Sequence, residues 1–542
     1  MSNDPVHDLR FAMQDCRFEE ALALAAKVDW KSVSKNAEKG DVEALTAVSQ
    51  GAELSDYVGD FPAARRRLRG LAEAAEERLR LLVENQQGLP GSLDERRILK
   101  RWVWVLMQTA TADYRLYRLD RAMLLLALCE AAVLQSIRIE PSYMCWGTLS
   151  RIEYGIGLVH REGFDYAAAK VRFLKSIESA WQSLRQKYDK GAQEGFRQSR
   201  WTDFAFARAL ALGLGFVYHA EGQAELALPL LLSARNLLAR FDEKRIKAYV
   251  DLIYFDARRS GYGADSLVID DSIEGLKRCR NVFIDENHGF YRARSNYSLS
   301  LAYCQRARED ESVPLSIRGD EDLKQAEYYA NELAQHGRQT GDSRAELYAA
   351  VCMSRIERKR NRFTEAERLA TLAIEAAGMH PHLHVGALIA RAETRLRQEK
   401  TDEAIKDFLD AKDRSGSNLR ARAICVLRVV QIYARTNRSH LASQFFDQWR
   451  EIKPHISNTY ISRLERSAIA AMENASIDFV IRMTDDRLDP VVLERRLRGF
   501  LVEWAYRQTR RESDEKAAKL LGISRQTLAN WRAAAKSAGS GK

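Results

Sequence analysis

Five residues near the end of the chain, Ser524, Arg525, Gln526, Thr527 and Asn530, form a compact set able to read the edges of bases. Arginine can donate two parallel hydrogen bonds to guanine, and glutamine can both donate to and accept from adenine, each pair giving about 1–3 kcal/mol of discrimination. Lys516, Lys519, Arg532, Arg510 and Arg511 surround that set as charges suited to phosphates, which fix register on a duplex and make affinity fall with salt. This chemistry requires one short helix edge offered to a groove. The stretch DEKAAKLLGISRQTLANW, 514–531, has the residues to build one. Ala517 and Ala518 let two helices cross closely, Gly522 ends the first and Ser524 caps the second, while Leu521, Ile523, Leu528 and Trp531 close a small core. Spacing and residue types predict three helices over 490–509, 514–521 and 525–537, the last two forming a helix-turn-helix.

Arg292, Asn296 and Tyr303, at offsets of four and seven in YRARSNYSLSLAYCQRARED (291–310), can share a helix face. An asparagine there can bond a peptide backbone through its amide donor and acceptor, so the three are candidate peptide-binding residues beside the plainer reading of a solvated face. His380, His382 and His384 fall around Pro381 in an inter-helix turn with no nearby cysteine or carboxylate cluster, so no metal is expected. No phosphate-binding G-x-x-x-x-G-K-[ST], dinucleotide or Ser-His-Asp signature is recognisable, and neither an enzyme nor a cofactor is expected.

The elements that must position these residues are helices. Hydrophobic residues make up 46% of the 542, charged ones 30%, and 29 Gly with 9 Pro are too few for a disordered or loop-rich β chain. The longest uninterrupted apolar run, 122–129, is far short of the roughly 20 residues that span a bilayer, and the N-terminus has no secretory pattern. A cytoplasmic protein without a membrane segment is expected. The seven cysteines are scattered, as buried thiols rather than a disulfide or zinc framework. The net charge of +10 is uneven: residues 488–542 hold twelve Lys and Arg against six Asp and Glu, marking a basic C-terminus on a nearly balanced body.

That body repeats. An apolar or small residue, a small one three later, and apolar or small ones four and seven after that recur through the chain. Copies lie at Phe18–Ala21–Ala25–Val28, Phe61–Ala64–Leu68–Leu71, Leu119–Ala122–Leu126–Cys129, Phe164–Ala167–Val171–Leu174 and Ala224–Ala227–Leu231–Ala234. Further copies lie at Leu323–Ala326–Ala330–Leu333, Phe363–Ala366–Ala370–Ala373, Thr401–Ala404–Phe408–Ala411 and Ser439–Ala442–Phe446–Trp449, with a degenerate one at Ser272–Gly275–Cys279–Val282. Each copy reads as the second helix of a hairpin, its alanine permitting close helix approach.

Gly215, Tyr218, Gly222, Ala227, Leu231 and Ala234, and Ala442, Phe446 and Trp449 followed by Pro454, make residues 5–455 resemble the tetratricopeptide-repeat family. The resemblance implies an all-α superhelix of about nine or ten hairpins that binds a protein or peptide in its groove. Residues 456–489 then read as a capping helix and linker. The AAKLLGISRQTL core and the preceding helix ending in Tyr506, Arg507, Gln508 and Thr509 make 490–542 resemble the Fis-type helix-turn-helix; Trp531 is also similar to transposase-type motifs, leaving the subfamily open. What the resemblance implies is a sequence-specific regulator of transcription bound to double-stranded DNA. Leu493, Leu497, Leu501, Trp504 and Ala505 line a wide apolar face that suggests a homodimer. The alternatives are an interaction scaffold or adaptor, as in a defence or secretion system, that does not read DNA, and an accessory factor in DNA transposition.

Overall fold

The computed structural model describes residues 4–14, 18–58, 60–84, 93–139, 143–188, 205–239, 244–262, 266–307, 315–378, 383–436, 438–485, 502, 505–506 and 513–539. Among these no strand forms, and the only β pairing is an isolated bridge between Gln223 and Ser457. The helices are α1 (Pro5–Gln14), α2 (Phe18–Ala25), α3 (Trp30–Glu38), α4 (Val42–Val58), α5 (Phe61–Glu84), α6 (Leu93–Arg115), α7 (Leu119–Ile139), α8 (Tyr143–Glu162) and α9 (Tyr166–Tyr188). Next come α10 (Ala205–Ala220), α11 (Ala224–Leu238), α12 (Lys244–Tyr262), α13 (Ser266–Asp285), α14 (Gly289–Ala307), α15 (Ile317–Thr340), α16 (Ser343–Lys359) and α17 (Phe363–Ala377). The series ends with α18 (His384–Arg397), α19 (Thr401–Arg414), α20 (Leu419–Arg435), α21 (Ser439–Ile452), α22 (Thr459–Asp485), α23 (Asp514–Leu521) and α24 (Arg525–Gly539). The chain forms two compact units, Met1–Val426 with Gln448–Leu464, and Leu427–Asp447 with Glu465–Lys542.

The first unit is an array of helical hairpins. Its small-residue positions work as their spacing predicts: Ala21, Ala64, Ala122, Ala227, Ala326, Ala366 and Ala404 are all buried. Many turns between paired helices share one device. Tyr117, Phe164, Asn361 and Glu399 adopt left-handed φ values of 62, 59, 62 and 62°, as Gly222 does at 84°. Around Asn361, Arg362 N–H donates to Glu357 O (2.9 Å) and Asn361 N–H to Arg358 O (3.0 Å), the crossed pair that closes a helix end.

That turn corrects one repeat. At α9 the buried series is Tyr166, Ala169, Phe173 and Ser176, two residues after the expected Phe164–Ala167–Val171–Leu174. Phe164 lies in the turn, and Val171 and Leu174 are exposed. The Phe173 ring then fits between two glycines: a Cβ at Gly157 or at Gly213 would lie 2.6 Å from it. Gly213 belongs to a π-helical stretch, Ala209–Gly215, inside α10.

Helix α7 also corrects an expectation. Although its uninterrupted apolar run is short, Leu119–Ile139 is long and apolar enough to cross a membrane, with mean hydropathy 1.8 over an 18-residue stretch. In the fold it is the second helix of a hairpin and buries Ala122, Leu125, Leu126, Cys129, Ala132, Val133 and Ile137. Cys129, Cys145, Cys279, Cys304, Cys352 and Cys425 are buried thiols outside any disulfide.

Unlike an open solenoid, in which a repeat touches only its neighbours, this unit returns upon itself. Arg344 Nη2 donates to Arg115 O at 2.8 Å across 229 positions, and Gln223 Nε2 to His455 O at 2.9 Å across 232. Ser417 N–H donates to Phe164 O (3.1 Å), Ser457 N–H to Gly222 O (3.0 Å) and Asn458 Nδ2 to Ser260 O (2.8 Å). Successive superhelical turns are thus hydrogen-bonded to one another, and the first helices of the hairpins face inward.

Candidate functional site

Two places concentrate side chains with chemistry. The first is the helix pair α23–α24. Ser513 caps α23 by accepting from Lys516 N–H (3.2 Å), and Gly522, at φ 66° and ψ 28°, ends it. Ile523 N–H donates to Ala518 O (3.0 Å) and Gly522 N–H to Lys519 O (3.2 Å), the same crossed closure the repeats use. Ser524 caps α24 by accepting from Thr527 N–H at 3.0 Å. Ala517, Ala518 and Leu528 form a dry core with Val502 and Ala505, flanked by Tyr506, Leu521, Ile523 and Trp531.

Packing leaves the other side of α24 free. Ser524, Arg525, Gln526 and Asn530 are exposed and Thr527 is half-buried; Gln526 Nε2 reaches Asn530 Oδ1 at 3.4 Å. Lys516 and Lys519 are exposed on α23. Arg532 lies over the Tyr506 ring (5.1 Å) and 3.7 Å from Asp514, while Arg525 stands 3.9 Å from Glu515. These exposed contacts stabilise little and leave both guanidiniums available. Arg510 and Arg511 lie outside the described residues, as do Leu493, Leu497, Leu501 and Trp504 of the expected dimer face.

The second place, which no local pattern announced, is the inward face of the array. Arg161 and Glu162 end α8; Arg294 and Tyr297 stand on α14, Arg344 and Tyr348 on α16, and Phe216 on α10. Arg161 donates to Tyr114 OH (3.0 Å), to Glu162 Oε1 (2.8 Å) and to Leu212 O (2.9 Å), a carbonyl of the π-helical stretch. Its guanidinium and that of Arg294 lie 4.3 and 5.3 Å from the centre of the Phe216 ring. Arg344 covers Tyr117 (5.3 Å) and comes within 3.9 Å of Glu162. Burial alone would raise the Glu162 carboxyl, but Arg161, Arg344 and Arg294 outweigh it and bring it down to about 2.

A neighbouring polar cluster centres on Asp256. Arg259 Nη2 donates to it at 2.7 Å and His219 Nε2 lies 3.3 Å away. Burial would raise this carboxyl too, yet Arg259 and His219 hold it well below its ordinary value. His219 Nδ1 is 3.4 Å from Ser260 Oγ, and Arg420 Nη1 donates to that oxygen at 3.1 Å. The residue types are those of a hydrolase relay, but Ser260 is only 6% exposed and its hydroxyl is already held by Arg420. The arrangement ties helices together. Burial, and next the nearby Arg259, lower the Arg420 guanidinium from its usual value, with Asp256 opposing.

The open face expected at Arg292, Asn296 and Tyr303 is not there. Asn296 is 1% and Tyr303 4% exposed, and only Arg292 is half-buried. Asn296 Oδ1 accepts from Arg280 Nε at 2.6 Å and Tyr303 stacks on Tyr329 at 5.8 Å, so both serve packing between α13, α14 and α15. Sequence spacing did hold one unread signal. Arg306 with Asp322 and Arg391 with Asp407 form two-pronged pairs 16 positions apart, bracing α14 to α15 and α18 to α19. Of the three histidines, His384 Nε2 donates to Gly378 O at 3.0 Å, and His380 and His382 lie outside the described residues. Among the described residues no group of three His, Cys, Asp or Glu could hold a metal ion.

No family model matches the chain, and no curated protein sequence does. Among solved structures it is similar to a Rap protein complexed with competence and sporulation factor, at 11% identity and TM-score 0.42 over 74% of this chain and 99% of that one. It is also similar to the APC/C hetero-tetramer Cut9–Hcn1, at 12% and 0.33 over 98% and 95%, and to yeast Tom70, at 13% and 0.31 over 78% and 94%.

Proposed function

We propose that this chain is a tetratricopeptide-like interaction protein, cytoplasmic and non-catalytic, whose inner surface docks a protein or peptide. The observation that supports this best is the inward face itself: arginines stacked on aromatic rings, held by packing before any partner arrives. In-cell crosslinking with mass spectrometry of the full chain tests the reading. Crosslinks from one recurrent partner to α8, α14 and α16 are expected; partners crosslinked only to the outward helices would overturn it.

A second reading rests on a separate observation, the exposed polar edge Ser524–Arg525–Gln526–Asn530 on a helix whose opposite side is packed. In it the tail, from about residue 490, reads duplex DNA as part of a transcriptional regulator, and a homodimer contacts two half-sites about 34 Å apart. Selection of binding sites from a random duplex pool followed by gel shift is the test. Arg525→Ala with Gln526→Ala should abolish preference for the selected sequence, and Arg532→Ala should lower the slope of log affinity against log salt by about 1. Unchanged selectivity in the double variant would discard it. Genome-wide occupancy separates a regulator, found at promoters, from a transposition factor, found at element ends.

A further inference from the structure

Among the described residues that act on one another at the inward face, guanidiniums outnumber carboxylates. Arg161, Arg259, Arg294, Arg344, Arg355 and Arg420 act electrostatically on the same groups as Glu162, Asp256 and Asp342. Two of these arginines have no carboxylate within 4 Å among the described residues. Arg294 lies over the Phe216 ring with Glu162 attracting it from farther off, and Arg420 donates to the Ser260 hydroxyl with Asp256 farther off. Two more have unused donors: Arg161 Nε and Arg259 Nε are buried without an acceptor, on residues each 7% exposed.

Removing cations from water without counter-charges is unfavourable, and an uncompensated group of them attracts anions strongly where the surroundings are poor in water. Aromatic walls supply such surroundings here: Phe216, Tyr249, Tyr297 and Tyr348 all lie among these arginines and are only partly open to solvent. The underused guanidiniums stand on α8, α12, α14 and α20, so a single small anion would satisfy one of them and leave the others. A chain bearing several carboxylates would satisfy the set.

Resting on the docking function above, we infer that the partner presented to this inner surface is an acidic peptide segment, whose carboxylates pair with Arg294 and Arg420 while its backbone lies against the tyrosines. Guanidinium recognition is two-pronged and planar, which suits a carboxylate and is not reproduced by lysine.

The experiment uses the full chain and fluorescein-labelled hexaglutamate, read by anisotropy, with hexaglutamine, inorganic phosphate and a single-stranded hexanucleotide as competitors. Hexaglutamate is expected to bind, Arg294→Gln with Arg420→Gln to weaken it at least tenfold, Arg294→Lys to recover only part of the loss, and Arg525→Ala with Gln526→Ala to leave it unchanged. Circular dichroism checks that each variant is folded. Absence of hexaglutamate binding, equal binding by wild type and the Arg294/Arg420 variant, or displacement by phosphate or the hexanucleotide as effective as by unlabelled hexaglutamate would each overturn the inference. The docking reading has its own readout: if hexaglutamate fails while partner crosslinks to α14 and α16 persist, only the acidic character of the partner is wrong.

Discussion

The inward face of the array and the C-terminal helix pair both display arginine, and they treat it in opposite ways. Inside, Arg161 and Arg344 are each 7% exposed and their charge is fixed by Glu162, by backbone carbonyls and by rings. At the tail, Arg525 and Arg532 are open to water and touch carboxylates only at 3.9 and 3.7 Å. The interior therefore holds a preset arrangement whose loss damages folding, whereas the tail holds mobile charge whose loss damages only what it binds.

The largest effect should come from Glu162→Gln. Removing the one carboxylate shared by three guanidiniums leaves buried cations unmatched, a loss of roughly 3–5 kcal/mol in denaturant unfolding monitored on the full chain. Its pH dependence follows from the sign of the shift. The folded carboxyl titrates near 2 against 4.5 unperturbed, so its contribution is complete above about pH 4.5 and disappears as pH falls through about 2. Wild type should lose more stability across that window than Glu162→Gln, which keeps the other depressed carboxyls such as Asp256. Equal acid sensitivity in both would erase the contrast.

Next in size is Leu528→Ala, which removes the one fully buried large side chain among the described residues of the tail core and should cost about 2–5 kcal/mol there. Proteolysis should then cut near 513–539 while the array stays intact; simultaneous loss of both would mean that the two regions do not differ in the way described. A smaller effect distinguishes the two uses of one turn. Gly522→Ala meets nothing within 4 Å, so only its left-handed backbone resists, and the tail should lose about 1 kcal/mol. Smallest of all, Glu399→Gly should stabilise the array by about 0.5 kcal/mol in thermal unfolding, because a side chain now occupies the conformation that glycine prefers.

The turns also explain what could be read in advance. Gly522 and Ser524 are local punctuation, so the ends of α23 and α24 were legible from spacing. At α9 the left-handed residue is Phe164, which carries no such mark, and the buried series starts two positions later than spacing alone predicts. The buried alanines were legible because helix period and hairpin length are local properties. The inward arginines were not: Arg344 meets Arg115 across 229 positions and no periodicity connects them. Asn296 is hidden from spacing for a related reason, since its partner Arg280 belongs to the preceding helix and closes the face that spacing alone leaves open.

The bonds joining one superhelical turn to the next limit how such a molecule can change in length. Most strings of hairpins can gain or lose a unit by duplication, since the joint on either side is the same. Here an added unit between Gln223 and Arg344 falls within both closed spans, and it would slide the later hairpins off those beneath them and undo both fastenings together. The same fastenings oppose fraying one hairpin at a time, so the array should melt in a few large steps.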